Sequence, residues 1–269
     1  MVTWARVQWR FSPITRPRRA LVAEIGAEPP AGIRLEYEGR YRAMFSHEVK
    51  NYALLTYGGQ LVVRGVALRS SRSEPFGDRF LRQALLCLLT NDIPGLHRAF
   101  LDTVTSIRGC ALPASAMGTR VRLTKTPEAY QSSRASHPEP QYEALLAAGR
   151  TRWFAGERVR FYRVRGKAYV WLPEASQDST LAESREQNDS RGHGTQKEHS
   201  APTTRVPVGD RRDYDVEHYL NVLVTSYAAR LRKAFAPQDF EQLFRVEQAG
   251  LFDQPVESIE PRWIRCDSL

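Results

Sequence analysis

The hydrophobic period of this chain changes sharply at Glu74-Pro75. Upstream, from Ile33, apolar residues alternate. Ile33, Leu35 and Tyr37 face one way, and Arg34, Glu36 and Glu38 face the other. That is the pattern of a half-buried strand. Gly39 allows a turn, and "RYRAMF" forms a returning strand. "YALLTY" and "LVV" flank Gly58-Gly59, a two-residue hairpin signal because tight hairpin turns need positive φ. Downstream, Phe80, Leu81, Ala84, Leu85, Leu88 and Leu89 mark one helical face, and Asp92-Ile93-Pro94 ends it. Leu96, Phe100, Leu101, Val104 and Ile107 resume at helical spacing. Strands gathered ahead of helices exclude an alternating βαβ plan. They predict an α+β fold with segregated elements: a small antiparallel β unit, then a mainly helical region.

The helical region carries further signals. Thr126-Pro127-Glu128 supplies an N-cap, a first-turn proline and a favourable first-turn acid. "EPQYEALLAAG" predicts another helix, closed by Gly149. "ERVRFYRV" and "KAYVWLP" predict a hairpin around Arg165-Gly166. Residues 174–212 are rich in Ser, Gln and Glu with almost no large apolar side chains. They cannot bury enough surface to offset ordering entropy, which predicts a disordered insertion. After it, Val216, Tyr219, Leu220, Leu223, Tyr227 and Leu231 line one face of a closing helix, with Arg230, Arg232 and Lys233 near its C-terminus, where the dipole favours cations. Residues 1–19 show no clean period and read as an irregular basic arm; "ALVAEIGA" at 20–27 suits a short helix.

Most catalytic classes find no support. The six histidines do not cluster with Cys87, Cys110 or Cys266 at ligand spacing. There is no CxxC pair, no GxGxxG, no GxSxG and no phosphate-binding Walker loop. Two-metal phosphoryl transfer needs at least two converging carboxylates. Asp213-x-Asp215 has that spacing, but it reads better as the acidic start of the closing helix. No apolar stretch is long enough to span a bilayer, and the basic N-terminus lacks the apolar core of a signal peptide. These features predict a cytoplasmic protein with no membrane partner.

The chain carries 39 Lys and Arg against 30 Asp and Glu, which favours an anionic partner without specifying a fold. The cations are not evenly spread around the first hairpin. Lys50 precedes it, and Arg64, Arg69 and Arg72 come after it. Folding therefore gathers them, beside Ser70, Ser71 and Ser73, and such forks and hydroxyls bind phosphate backbone. Solvated cations on an ordinary ribbon would leave the same pattern.

"HEVKNYALLTYGGQLVVRGVALRSSRSEPFG" resembles the region after the catalytic Asp-Thr-Asp hairpin of family B DNA polymerases. There a Lys-Lys-Arg/Lys-Tyr-Ala motif leads through a short hairpin to a cation-Gly pair and a basic segment entering the thumb. Lys50, Asn51, Tyr52 and Ala53 match the end of that motif, Arg64-Gly65 matches the cation-Gly pair, and Arg69 matches the basic segment. Departures are Val49, where the family usually has a cation, and Asn51, which replaces one. "GIRLEYEGRYRAMF", "TKTPEAY", "GERVRFYRV" and "YDVEHYLNVLVTSYAARLRKAF" resemble the strands before the motif, two thumb elements and the final thumb helix. The resemblance covers roughly residues 20–245 apart from the insertion.

The resemblance implies a division into an arm (1–19), the C-terminal end of a palm (20–65), a thumb of helices plus a hairpin (66–173), a disordered linker (174–212), a closing thumb helix (213–245) and a tail (246–269). It implies duplex primer–template DNA as partner, held by Lys50, Asn51, Tyr52, Arg64, Arg69 and Arg72, in replication or repair. The family's exonuclease domain, catalytic carboxylates and nucleotide-binding helix have no counterpart here. The expectation is a fragment that does not polymerise alone and binds no cofactor, Mg2+ belonging to a complete polymerase. A split or truncated frame, with an upstream polymerase half as partner, fits that expectation. In the tail, Gln248, Leu251 and Phe252 resemble the Gln-x-x-Leu-Phe peptide by which bacterial polymerases dock on the sliding clamp. Packing of Leu251 and Phe252 onto the thumb is the alternative.

Overall fold

The computed structural model describes residues 5–6, 40–69, 72–173, 207–247, 250 and 253–265, with backbone alone at 5–6 and 264–265. Apart from residues 5–6, the expected arm lies outside these residues, as do the short helix, the strand at Ile33 and most of the linker. So do Ser70 and Ser71 and the peptide of Gln248, Leu251 and Phe252.

The described residues form an α+β fold with two sheets. β1 (Ala5–Arg6) pairs antiparallel with β2 (Tyr41–Glu48). β2 runs antiparallel to β3 (Asn51–Thr56), and β3 to β4 (Leu61–Arg64). Ala43 stands opposite Leu55, and Phe45 opposite Ala53. All four are buried, so the alternation read from the sequence puts one face of this sheet into the core. The β3–β4 turn falls at Gly58-Gly59 but is wider than the two-residue turn expected: Leu55 pairs with Leu61, Thr56 N donates to Gln60 O at 3.0 Å, and of the two glycines only Gly59 takes positive φ, 80°.

α1 (Pro75–Thr90) and α2 (Ile93–Arg108) form the antiparallel pair expected from their spacing. Asn91 takes the left-handed conformation between them, φ 64°, and Asp92 caps α2 by accepting from Gly95 N at 2.9 Å. Phe80 and Phe100, one from each helix, meet edge to face with centroids 6.0 Å apart. α3 (Ala114–Met117) leads into β5 (Thr119–Arg122), a strand that the sequence pattern does not reveal. α4 (Pro127–Arg134) begins at the predicted Thr126 cap, whose hydroxyl accepts from Ala129 N. α5 (Pro140–Ala147) stops before Gly149, φ 78°. β6 (Arg158–Arg163) and β7 (Tyr169–Leu172) form the predicted hairpin and add β5 as a third strand, in the order β5-β6-β7.

The closing segment is two helical pieces rather than one. α6 (Val216–Val222) continues through a wide π-turn (Leu223–Tyr227) into a 3₁₀ stretch (Ala228–Ala234). The chain then breaks at Phe235-Ala236 before α7 (Pro237–Leu243). Pro237, a helix starter that cannot continue one, accounts for the break. β8 (Ile264–Arg265) pairs parallel to β1 and completes a five-stranded sheet in the order β4-β3-β2-β1-β8. The main core joins Phe45 and Leu55 of this sheet to Phe80, Leu96 and Phe100 of the helix pair and to Tyr219, Leu223 and Tyr227. It crosses the expected palm–thumb boundary at 65/66 without a gap. A second, smaller core collects Leu123, Tyr130, Tyr142, Trp153, Val159 and Trp171.

Candidate nucleic-acid interface

β3 and β4 pair with Tyr52 opposite Arg64. Everything just before β3 and just after β4 therefore emerges at one end of the ladder. Val49 and Lys50 form the turn between β2 and β3, since Glu48 pairs with Asn51. Val49 is 86% exposed at the tip. Lys50 is exposed beside it in the left-handed conformation, φ 65°.

Gly65 turns the chain out of β4 at φ 89°. A Cβ there would stand 2.3 Å from both Lys50 O and Asn51 Oδ1. Only glycine lets the two turns approach this closely. Asn51 fastens them together. Its Nδ2 donates to Val49 O at 3.0 Å, and its Oδ1 accepts from Ala67 N at 2.8 Å. The Asn51 amide, expected to contact DNA, is thus bonded at both its nitrogen and its oxygen to the protein's own backbone. Its observed role is to hold Lys50 and the 65–69 turn side by side.

Arg64 and Arg69 are exposed on this end, and Arg69 N closes its turn on Gly65 O at 3.0 Å. Val66, between them in sequence, is 78% exposed. Tyr52 is half-buried behind Arg64. The structure thus brings Lys50, Arg64 and Arg69 onto one knob with two exposed valines. Arg72 lies farther along. Its carbonyl accepts from Thr119 Oγ1 at 2.7 Å and Arg120 N at 3.4 Å, tying it to the start of β5.

The knob is braced from behind by the closing segment. His47 Nδ1 donates to Arg230 O at 3.0 Å, and Lys233 Nζ donates to His47 O. Burial holds the His47 imidazole below its usual pKa, against the opposing pull of Glu48. The Arg230 guanidinium lies 4.8 Å from the Tyr227 ring centre, a cation–π contact.

The Asp213-x-Asp215 pair is committed to structure. Asp213 accepts from Tyr162 Oη at 2.8 Å. Asp215 caps α6 through His218 N at 3.1 Å, and stands 3.1 Å from Arg163 Nε as an ion pair without hydrogen-bond alignment. Among the described residues no group of three or more His, Cys, Asp or Glu side chains could hold a metal ion. These residues do not fit a two-metal centre.

Sequence reasoning missed another set of cations. Arg120 stands opposite Arg160, and Arg122 opposite Arg158, across β5 and β6. The signal lies in the Arg-Val-Arg triplets at 120–122 and 158–160, two of three in the chain, the third being at 163–165. It gains meaning only once β5 is known to be a strand beside β6.

No family model matches the chain, and no curated protein matches it. Among solved structures the chain is similar to the family B DNA polymerase from the hyperthermophilic archaeon Pyrobaculum calidifontis. The two share 17% identity at a TM-score of 0.45, over 79% of this chain and 23% of that one. The chain thus spans about a quarter of that polymerase's length, and at this identity no residue role transfers from it. Among the described residues no helix is long and apolar enough to cross a membrane.

Proposed function

We propose that this chain binds duplex DNA without catalysing its synthesis, as a palm-end and thumb-like module of the family B polymerase kind. The observation that carries the reading is the convergence of Lys50, Arg64 and Arg69 on two turns locked together by Gly65 and Asn51. A fixed knob of cations meets a phosphate backbone without first losing loop entropy. The sequence resemblance supplies the kind of partner, a primer–template duplex, and the catalytic carboxylates would come from an upstream polymerase half.

The test is duplex affinity, by fluorescence anisotropy across a salt series. Each neutralised phosphate contributes about 0.9 to the slope of log K against log salt. Lys50→Gln with Arg64→Gln and Arg69→Gln is expected to weaken binding and flatten that slope by about 2 to 3. A wild-type chain with no salt-dependent duplex binding would sink the reading. Primer extension by the isolated chain with Mg2+ is expected to give no product, and any extension would refute the non-catalytic assignment.

Clamp docking through Gln248, Leu251 and Phe252 belongs to the same proposal. The peptide is bracketed by Arg245 and Asp253, whose side chains pair at 2.7 Å. Leu251→Ala with Phe252→Ala should abolish capture on an immobilised clamp while leaving duplex affinity unchanged. Equal capture of wild type and variant would remove this part alone.

A further inference from the structure

The turn before β6 buries one aromatic ring and exposes the next. Trp153 is buried in the second core, and its Nε1 donates to Lys125 O at 3.1 Å. Phe154 beside it is 66% exposed, more than any other Phe, Tyr or Trp among the described residues. An isolated exposed apolar side chain is ordinary, but the backbone under this one is fixed on both sides. Phe154 N donates to Glu157 Oε2 at 3.3 Å, and Glu157 N donates to Phe154 O at 3.2 Å. Gly156, at φ 99°, donates its N–H to Leu123 O at 2.7 Å, and Leu123 N donates to Glu157 O at 2.8 Å. The ring is therefore presented by a closed turn, with little backbone entropy left to lose on binding.

The same turn is flanked by guanidinium groups. Arg122 on β5 stands opposite Arg158 on β6. The Arg122 guanidinium lies against Gly156, where a Cβ would come within 3.3 Å of it. Arg152 leads into the turn. All three arginines are exposed, and among the described residues none of them has an ion-pair partner. The carboxylate of the turn is committed: Glu157 pairs with Arg150 at 2.5 Å while it holds Phe154 N. A flat ring among unneutralised cations is the combination that holds an unpaired nucleotide, since the base stacks and the cation takes the phosphate. An apolar pocket on a protein partner would take the ring. It would give no reason for Arg122 and Arg158 to stand opposed, which destabilises the strands that carry them.

We propose that the 153–157 turn binds single-stranded DNA, with Phe154 stacked on an unpaired base and Arg122 and Arg158 donating to the phosphate beside it. Opposed residues on antiparallel strands have Cβ atoms about 5 Å apart, so both guanidinium forks reach one phosphate. Stacking of this kind reads no sequence, because every base has a π-face. The site shares no residue with the Lys50 knob. It goes beyond the duplex-binding reading, whose knob contacts phosphates alone.

The experiment is fluorescence anisotropy with two labelled strands of equal length, an oligothymidylate and its abasic counterpart, which keeps the phosphates and lacks the bases. Wild type should bind the thymidine strand more tightly. Phe154→Ala should weaken binding of that strand by about 5- to 100-fold and leave the abasic strand unchanged. Phe154→Trp keeps a ring and should keep the preference. Arg122→Gln with Arg158→Gln should weaken both strands and lower the salt slope by about 0.7, one phosphate on a single strand. Equal affinity of wild type for the two strands overturns the inference, and so does a base preference that survives Phe154→Ala. An arginine variant with wild-type affinity and slope overturns it too. Because the Phe154 ring is exposed, Phe154→Ala should melt at the wild-type temperature. Should it melt early, Phe154→Trp decides, and a folded Trp variant without base preference overturns the inference. No binding of either strand by wild type overturns it as well and leaves the ring as an anchor for a protein. Duplex titrations of the same proteins keep the two readings apart. Wild type that binds the thymidine strand but no duplex overturns the duplex reading alone, and the converse overturns this one alone.

Discussion

Lys50 holds a left-handed backbone conformation that costs an L residue about 1–2 kcal/mol. Glycine would meet the same turn without that cost. Lys50→Gly is therefore expected to keep or raise thermal stability, by up to about 1 kcal/mol, while lowering duplex affinity. A melt and an anisotropy titration on the same preparation check both signs, and a variant that loses stability would show that the ammonium itself holds the turn. Asn51 behaves in the opposite way. Its two backbone hydrogen bonds are worth about 1 kcal/mol each, so Asn51→Ala should lower stability and, by releasing the two turns, weaken duplex binding as well. Asn51→Asp keeps only the acceptor for Ala67 N and should recover part of the stability. This division of roles was half legible in the sequence. The cations stood out as charges flanking a hairpin. That Asn51 bonds the backbone of both turns depends on Gly65 arriving beside it, and nothing in residue spacing announces that approach.

The closing segment shows how one element is locked by a single small residue in another. Tyr219, Leu223, Tyr227 and Leu231 are buried at strict four-residue spacing. A 3.6-residue helix drifts off such a stripe, and the wide π-turn at Leu223–Tyr227 restores it. The Tyr227 ring then lands on α1 at Gly77, where a Cβ would lie 2.0 Å from the ring. Its hydroxyl donates to Glu74 Oε2 at 2.6 Å and accepts from Glu74 N at 2.9 Å. Gly77→Ala should displace the ring and cost about 2–4 kcal/mol, a core-overpacking effect, read as a lowered melting temperature. The stripe is legible in the sequence but the glycine seat is not, because Gly77 reads there only as a weak helix position. Burial lifts the Tyr227, Tyr219 and Tyr162 phenols well above their usual range, with Glu74 reinforcing Tyr227 and Asp213 reinforcing Tyr162. Above about pH 10 the unfolded chain releases phenolic protons that the folded chain retains. The folded state then binds more protons, so stability is full below about pH 10 and falls as pH rises beyond it. The last part of the tyrosinate absorbance, beyond that of exposed phenols such as Tyr57, should appear together with alkaline unfolding; complete tyrosine ionisation with helicity intact would contradict the buried network.

At the scale of the whole molecule, the α+β plan was readable because the hydrophobic period switches sharply at Glu74-Pro75 and the segments on either side are long enough to show it. β5 was not, since its four residues, two of them arginines, carry no apolar alternation to find. Its consequence is architectural. With β5 in place, the three-stranded sheet has two working faces. Tyr162 and Leu172 join the main core on one side, while Val159 and Trp171 join the second core on the other. The sheet is a wall common to both cores, so neither should unfold while the other stays intact. The expected outcome is one cooperative transition. Trp153 and Trp171 report the second core, and replacing Trp4, Trp9 and Trp263 by Phe isolates their fluorescence. Its denaturation midpoint should match that of far-UV circular dichroism, which is dominated by the helices of the main core. A fluorescence transition that runs ahead of the helical signal would mean the small core opens alone. A rigid common wall predicts instead that duplex affinity holds until the single global transition begins.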